Sequence, residues 1–268
     1  MTKKIKLVIS GSGTKLPVFA GAIKRLELEG CQIQEVIGTS GGSIIAAAVA
    51  SGLSADQIMD LCRIIMPKIN KMMDYSVINF LTWGGFVKGD KIHKEFEQHF
   101  IKTLGEAKIP LHIVTTNFDT DEEEIFSTQK TPKIETAIAC GASMAIPAVF
   151  EPVAINGDLH MDGGIYANFA IDYFGNTPDV IGLYFSKTKG RLPRPKGWFK
   201  SVEMLARVID MFISAKTEDD IGDAPLTNKI GLTTSIGSLT FNLSDEQINT
   251  MIQEGYEQTD RWLKENTI

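Results

Sequence analysis

Ser40 stands in Gly38-Thr39-Ser40-Gly41-Gly42, a Gly-x-Ser-x-Gly run between an apolar pair, Val36 and Ile37, and an apolar stretch at residues 44–50. Residues 34–37 read as a short buried strand and residues 43–50 as a buried helix. Ser40 then falls on the sharp turn between them. Glycines at 38 and 42 keep side chains out of such a turn, which lifts the serine oxygen above the sheet. The helix start behind it offers unpaired N–H groups and the positive end of a dipole. A hydroxyl placed there can be a nucleophile, with an oxyanion stabilised beside it. A Gly/Ser-rich turn can equally do no more than close a strand–helix unit, so the motif alone leaves both readings open.

Three further segments bear on that choice. Ser10-Gly11-Ser12-Gly13-Thr14-Lys15 follows a first strand at residues 5–9. Residues 137–153 hold Ala142-Ser143, Pro147, Phe150 and Pro152. Residues 160–168 run His160-Met161-Asp162-Gly163-Gly164-Ile165-Tyr166-Ala167-Asn168. A glycine-rich loop, a Gly-x-Ser-x-Gly turn, an Ala-Ser-x-x-x-Pro-x-x-Phe-x-Pro segment and Asp-Gly-Gly, in this order, resemble the patatin-like phospholipase family over most of the chain. Phe241-Asn242-Leu243-Ser244 and Glu254-Gly255-Tyr256 are similar to the closing segment of bacterial members.

The resemblance implies a three-layer α/β/α fold and a Ser–Asp dyad in place of a triad. Ser40 would be the nucleophile and Asp162 its base. Gly11, Ser12 and Gly13 would form the oxyanion loop, with Lys15 as its basic residue. It further implies hydrolysis of phospholipid or other acyl-lipid esters through an acyl-enzyme, with no cofactor. Two positions depart from the family. Ser12 replaces the middle glycine, and Leu16 replaces the glycine after the basic residue, which narrows the expected entrance. Two alternatives stay open: an acyltransferase on the same dyad, and a lipid- or acyl-binding module inactivated through Ser12 and Leu16.

The histidines agree with a dyad. His93, His99, His112 and His160 are the four present, and none follows an acid in a triad context. His160, two residues before Asp162, is the one to test. Gly11-x-Gly13 between a strand and a helix also resembles a dinucleotide fingerprint, but position 16 is Leu and no acid ends the second strand. Asp119, Asp121, Glu122, Glu123 and Glu124 form an acidic run of the kind that is usually a solvated turn, so no metal is expected.

The elements that must position these residues alternate strand and helix, which favours a mostly parallel sheet covered on both faces. Pro17 opens a helix to about Glu29. Ser54 caps another that should end near Ile65, before Pro67. Helices are expected from Lys91 to Phe100 and from Ile134 to Cys140, and a last one capped by Ser244. Strands are expected at residues 111–117, 122–127 and 180–185. A 43% hydrophobic fraction over 268 residues is enough for a large core, so one domain over 1–268 is expected. The net charge of −6 argues against nucleic-acid binding. Cys31, Cys62 and Cys140 lack metal-ligand spacing and suit a reducing, cytoplasmic setting.

Residues 67–89 show no clean period. They carry Met72, Met73, Tyr75, Phe80, Leu81, Trp83 and Phe86 and read as a cap-like insertion. Residues 187–200 interleave basic residues, Lys196 and Lys200 among them, with Trp198 and Phe199. Both stretches are candidates for peripheral contact with a membrane. No signal peptide or transmembrane helix is seen.

Overall fold

The computed structural model describes residues 2–175, 177–186, 200–223 and 228–266. The chain opens with β1 (Lys3–Ile9), whose Leu7, Val8 and Ile9 are all buried, as in a strand covered on both faces. α1 (Leu16–Leu28) has Pro17 in its first turn, where the missing N–H is no loss. β2 (Cys31–Thr39) runs into α2 (Gly41–Ala50), a helix buried at every residue. α3 (Ala55–Met72) starts at a capping box made by Ser54 and Gln57.

α3 does not stop before Pro67 but continues one and a half turns past it. Ile58, Leu61, Cys62, Ile65, Met66 and Ile69 form one unbroken buried face. Each large apolar side chain so buried contributes about 1.5–3 kcal/mol. Together they outweigh the roughly 3 kcal/mol of an interior proline. A small unit follows: β3 (Asp74–Tyr75), α4 (Val77–Trp83) and β4 (Gly85–Lys88). Then come α5 (Asp90–Glu97), β5 (Leu111–Asn117), β6 (Glu122–Ser127) and α6 (Thr136–Ser143). β7 (Ala148–Phe150), β8 (Val153–Ile155), β9 (Asp158–Asp162) and β10 (Val180–Phe185) lead to α7 (Lys200–Asp223). β11 (Lys229–Leu232) and α8 (Asp245–Glu265) close the chain, with Ser244 and Gln247 as a second capping box. Residues 187–199, with Lys196, Trp198 and Phe199, lie outside the described residues.

The main sheet has the order β11-β10-β1-β2-β5-β9-β8, with β6 also paired to β5. From β11 to β5 every pairing is parallel, and β9, β8 and β6 join antiparallel. β4 lies between β3 and β7 in a separate three-stranded sheet. The register around β5 decides the site. β6 takes one edge of β5 from His112 to Asn117. On the other edge β2 ends with Thr39 opposite Val114, and β9 ends with Asp162 opposite Thr115. β2 and β9 therefore meet end to end along one edge of β5.

Side chains alternate across the sheet. Leu7, Ile9, Val36 and Ile113 join the core beneath α1, α2, α3, α6 and α8. Val8, Ile37 and Val114 face the other way, against Phe169, Ala170, Ile171 and, at the margin, Ile221 of α7. Among the described residues the second face thus carries one helix and a non-helical run. No helix among the described residues is long and apolar enough to cross a membrane.

Candidate active site

Ser40 sits where β2 turns into α2, at φ 51° and ψ −128°. A non-glycine residue held there stores about 1–3 kcal/mol of backbone strain. Its neighbours make the turn feasible. A Cβ at Gly38 would stand 2.5 Å from the Gly42 carbonyl oxygen, and one at Gly42 would collide with the Ser10 carbonyl. Three bonds hold the turn. The Ser40 amide donates to Ser143 Oγ at 2.8 Å, Ser143 Oγ donates to the Val114 carbonyl at 2.6 Å, and Ser43 Oγ donates to the Ser40 carbonyl at 2.6 Å. Thr39 Oγ1 ties the strand end to the Ala167 carbonyl at 3.0 Å.

Asp162 arrives from β9 on the same edge of β5. Ser40 Oγ donates to Asp162 Oδ2 at 2.7 Å, and the Gly164 amide donates to Asp162 Oδ1 at 2.8 Å. Thr116 Oγ1 holds the Asp162 carbonyl at 3.0 Å, and the Asp162 amide donates to the Ala145 carbonyl at 3.0 Å. Gly163 lies so close to β5 that a Cβ there would collide with the Val114 carbonyl. Ser40 and Asp162 are 3% and 4% exposed. Burial pushes the Asp162 carboxyl up to about 6, against the opposing pull of its bonds from Ser40 and Gly164.

The loop between β1 and α1 lies against this pair. Among the described residues, the amides of Ser12, Gly13 and Gly41 have no protein acceptor. They are the donors available to a developing oxyanion. Gly11 differs from expectation: its amide is committed to the Asn168 carbonyl at 2.9 Å. A Cβ at Gly11 would collide with Asn168 Oδ1 and stand 3.4 Å from Ser40 Cβ, so Gly11 serves by leaving room. Lys15 also differs. Its ammonium stands over the Phe185 ring at 4.1 Å, it does not line the cavity before Ser40, and burial lowers its pKa to about 8 despite Asp210. Ser12 has φ −141°, so its side chain is accommodated, and Ser12 Oγ bonds to the Gly13 carbonyl at 3.2 Å.

In front of Ser40 is a small apolar cavity of about 40 Å³, lined by Leu16, Ile44, Ile69, Phe96 and Phe150 among others, with Gly13 and Gly41 beside the serine. Leu16 is part of its wall, as its position after the loop implied. The lining is apolar up to the hydroxyl itself, the surroundings a hydrocarbon group needs.

None of the four histidines bonds to Ser40 among the described residues. His112 is buried between Glu35 Oε1 at 2.9 Å and the Tyr173 hydroxyl at 3.0 Å, and burial lowers its pKa. His160 Nε2 lies 2.8 Å from Glu124 Oε2. His93 packs against Gly141, and burial lowers its pKa too. His99 is 3.5 Å from Glu95. Asp119 Oδ2 accepts from the Leu159 amide and Asp121 Oδ1 from the Tyr166 hydroxyl, each at 2.7 Å. No group of His, Cys, Asp and Glu among the described residues could hold a metal ion. Ser143, the serine of the Ala-Ser segment, and Asn168, just past Asp-Gly-Gly, carry no assigned role in the sequence reading. The motifs mark their positions, but their contacts are made at long range, so the motifs do not show what they hold.

A serine on a strand–helix elbow, bonded to a buried aspartate on a mostly parallel sheet, defines an α/β protein with a Ser–Asp pair at the end of its central strands. Residues 7–174 match the family model described as patatin-like phospholipase, and the chain belongs to that family. Uncharacterized protein R571 of Acanthamoeba polyphaga mimivirus is 32% identical over 192 residues, 67% of this chain and 65% of its own length. Probable lipid hydrolase 463L of Invertebrate iridescent virus 6 is 28% identical over 185 residues, 62% of this chain and 61% of its own. The chain therefore spans less than two thirds of either relative. VipD from Legionella pneumophila shares the fold, with a TM-score of 0.62 at 18% identity over 98% of this chain and 67% of that one.

Proposed function

We propose that this chain hydrolyses fatty-acyl esters of phospholipids or related lipids, with Ser40 as nucleophile and Asp162 as its base. The observation that carries the reading is the 2.7 Å bond from Ser40 Oγ to Asp162 Oδ2 at the foot of an apolar cavity. The family and the relative named as a probable lipid hydrolase support the substrate class.

In the proposed reaction Ser40 Oγ attacks the ester carbonyl carbon while its proton passes to Asp162 Oδ2. A carboxyl raised to about 6 is a better base than an exposed one, and it remains ionised at neutral pH. Charge develops on the carbonyl oxygen, which the free amides of Ser12, Gly13 and Gly41 can bind. Collapse of the intermediate breaks the C–O bond, and protonated Asp162 returns the proton to the leaving alcohol. Water then attacks the acyl-serine, giving its proton to Asp162. Fatty acid leaves, and Ser40 recovers its hydrogen. Because the substrates are lipids, the protein would work at a membrane surface. The free, buried Cys31, Cys62 and Cys140 suit a reducing compartment such as the cytoplasm.

The test is hydrolysis of a short-chain p-nitrophenyl ester and labelling by a fluorophosphonate probe. Ser40→Ala should lose both and keep its fold, and Asp162→Asn should be nearly as damaging. His93→Gln, His99→Gln and His112→Gln should keep turnover. Retention of more than about a tenth of the activity by Ser40→Ala would remove Ser40 from the mechanism.

A further inference from the structure

α4 is inverted for a helix on a water-facing surface. Of its seven residues the one buried is Asn79. Its apolar side chains point outward: Val77 is 66% exposed, Ile78 73%, Leu81 77% and Trp83 57%, with Tyr75 just before it at 61%. Scattered exposed apolar residues need no explanation, but five within nine positions form a patch of the kind that marks an interaction site. The patch is firmly mounted. Ser76 Oγ caps the helix through the Asn79 amide at 3.2 Å, and Gly84 ends it in the left-handed conformation. Phe80 stacks on Phe86 of β4 with ring centroids 4.2 Å apart and planes 7° from parallel.

We propose that this outward face of α4, flanked by Lys71 and Lys88, is the surface by which the protein docks on an anionic lipid bilayer. The proposal rests on the lipid-hydrolase reading for its choice of partner, and three observations point the same way. First, the patch adjoins the cavity before Ser40. β4 pairs with β7 in a register that sets Val87 opposite Phe150, and Phe150 lines that cavity together with Ser40. An acyl chain drawn from a bilayer at α4 would enter beside the strand that walls its binding site.

Second, the charge is right. From Lys68 to Lys91 the chain has four lysines against two aspartates, in a protein of net charge −6. Asp74 is neutralised by Lys91 at 3.0 Å, and Lys68 is paired with Glu95 at 2.7 Å. Lys71 and Lys88 are exposed and in no ion pair among the described residues. Lysines beside an apolar patch attract acidic headgroups while the patch enters the interface. A second copy of the chain fits less well, because a twofold contact through α4 would set these lysines against their own counterparts.

Third, the aromatic residues are placed for an interface. Tyr75 and Trp83 flank the aliphatic Val77, Ile78 and Leu81. Rings with an apolar body and a polar edge settle at the boundary between headgroups and acyl chains.

The experiment uses the full chain with Trp198→Phe and Trp262→Phe, which leaves Trp83 as the sole tryptophan. It is titrated with vesicles of phosphatidylglycerol and, separately, of phosphatidylcholine. Trp83 emission should shift to the blue on the anionic vesicles, less on the neutral ones, and the shift should weaken with added salt. Ile78→Asp with Leu81→Asp should abolish co-sedimentation with phosphatidylglycerol vesicles. Lys71→Glu with Lys88→Glu should weaken it about tenfold or more. Both pairs should hydrolyse the soluble p-nitrophenyl ester as the parent does, which shows that they are folded. Unchanged vesicle binding by the two aspartate substitutions would overturn the proposal. So would a parent dimer, measured by sedimentation, that those substitutions split while vesicles bind neither form. Ser40→Ala should bind vesicles normally. Vesicle binding through α4 by a chain with no esterase activity would sink the hydrolase reading and leave the docking surface standing.

Discussion

Ser143 Oγ accepts a hydrogen bond from the Ser40 amide at 2.8 Å and donates one to the Val114 carbonyl at 2.6 Å. One hydroxyl thus ties the strained elbow to β5, the strand on which β9 and its Asp162 are paired. Its removal would leave a buried amide and a buried carbonyl each short of a partner. An unmade buried hydrogen bond costs about 1–3 kcal/mol. Ser143→Ala should lower stability by about 2 kcal/mol and lower kcat by about tenfold or more, since 1.4 kcal/mol of lost positioning is a factor of ten. KM should change little, because Ser143 does not line the cavity. Denaturant unfolding together with steady-state kinetics checks both parts. Unchanged kcat in a destabilised protein would show that Ser143 braces the fold and leaves the nucleophile alone.

The oxyanion loop makes separable predictions for Ser12 and Gly13. The proposed chemistry uses the amide of Ser12, its Oγ is bonded to the Gly13 carbonyl at 3.2 Å, and its φ of −141° suits any residue, so Ser12→Gly should leave kcat nearly unchanged. Gly13 has φ +56°, and a Cβ there would collide with the Ser238 carbonyl. Gly13→Ala should displace a donor amide and lower kcat by about 10–100-fold, with a smaller rise in KM. An effect confined to KM would mean that the loop holds substrate without stabilising the oxyanion.

The elbow was legible in the sequence because its determinants are local: two strand residues, glycines at 38 and 42, and a helix at once behind. Asp162 was legible only through the resemblance. It lies 122 residues from Ser40, and what joins them is the register of β2 and β9 on β5, which no local pattern encodes. Residues 73–89 resisted reading for a physical reason. α4 turns Ile78 and Leu81 to solvent and Asn79 inward, so the period that marks a helix packed on a core is reversed. Pro67 gave a false stop because tertiary burial of Ile65, Met66 and Ile69 outweighed a local preference. Gly11 and Lys15 were assigned by place in a motif. Their actual partners, Asn168 and Phe185, come from distant segments.

The last prediction concerns pH and follows from the burial of Asp162. Burial pushes its carboxyl up to about 6 in the folded protein, against about 3.8 for an exposed aspartate on unfolding. Between these values the folded state binds more protons than the unfolded state. The contribution of Asp162 to stability therefore falls as pH rises from below 3.8 to above 6, the reverse of the salt-bridged Asp260. The difference of about two pH units corresponds to about 3 kcal/mol, carried by the ionised form at neutral pH. Activity runs the other way, since only ionised Asp162 can accept the Ser40 proton. The value of kcat/KM should rise with pH through an apparent pKa near 6 and then level. Asp162→Asn removes the titration. It should be nearly inactive at every pH and more stable than the parent at pH 8, by up to about 3 kcal/mol, with the gain shrinking toward zero near pH 4. Denaturant unfolding at the two pH values decides. An asparagine variant less stable than the parent by the same amount at both would mean that the ionised carboxylate carries no burial penalty. The basicity assigned to it would then need another source.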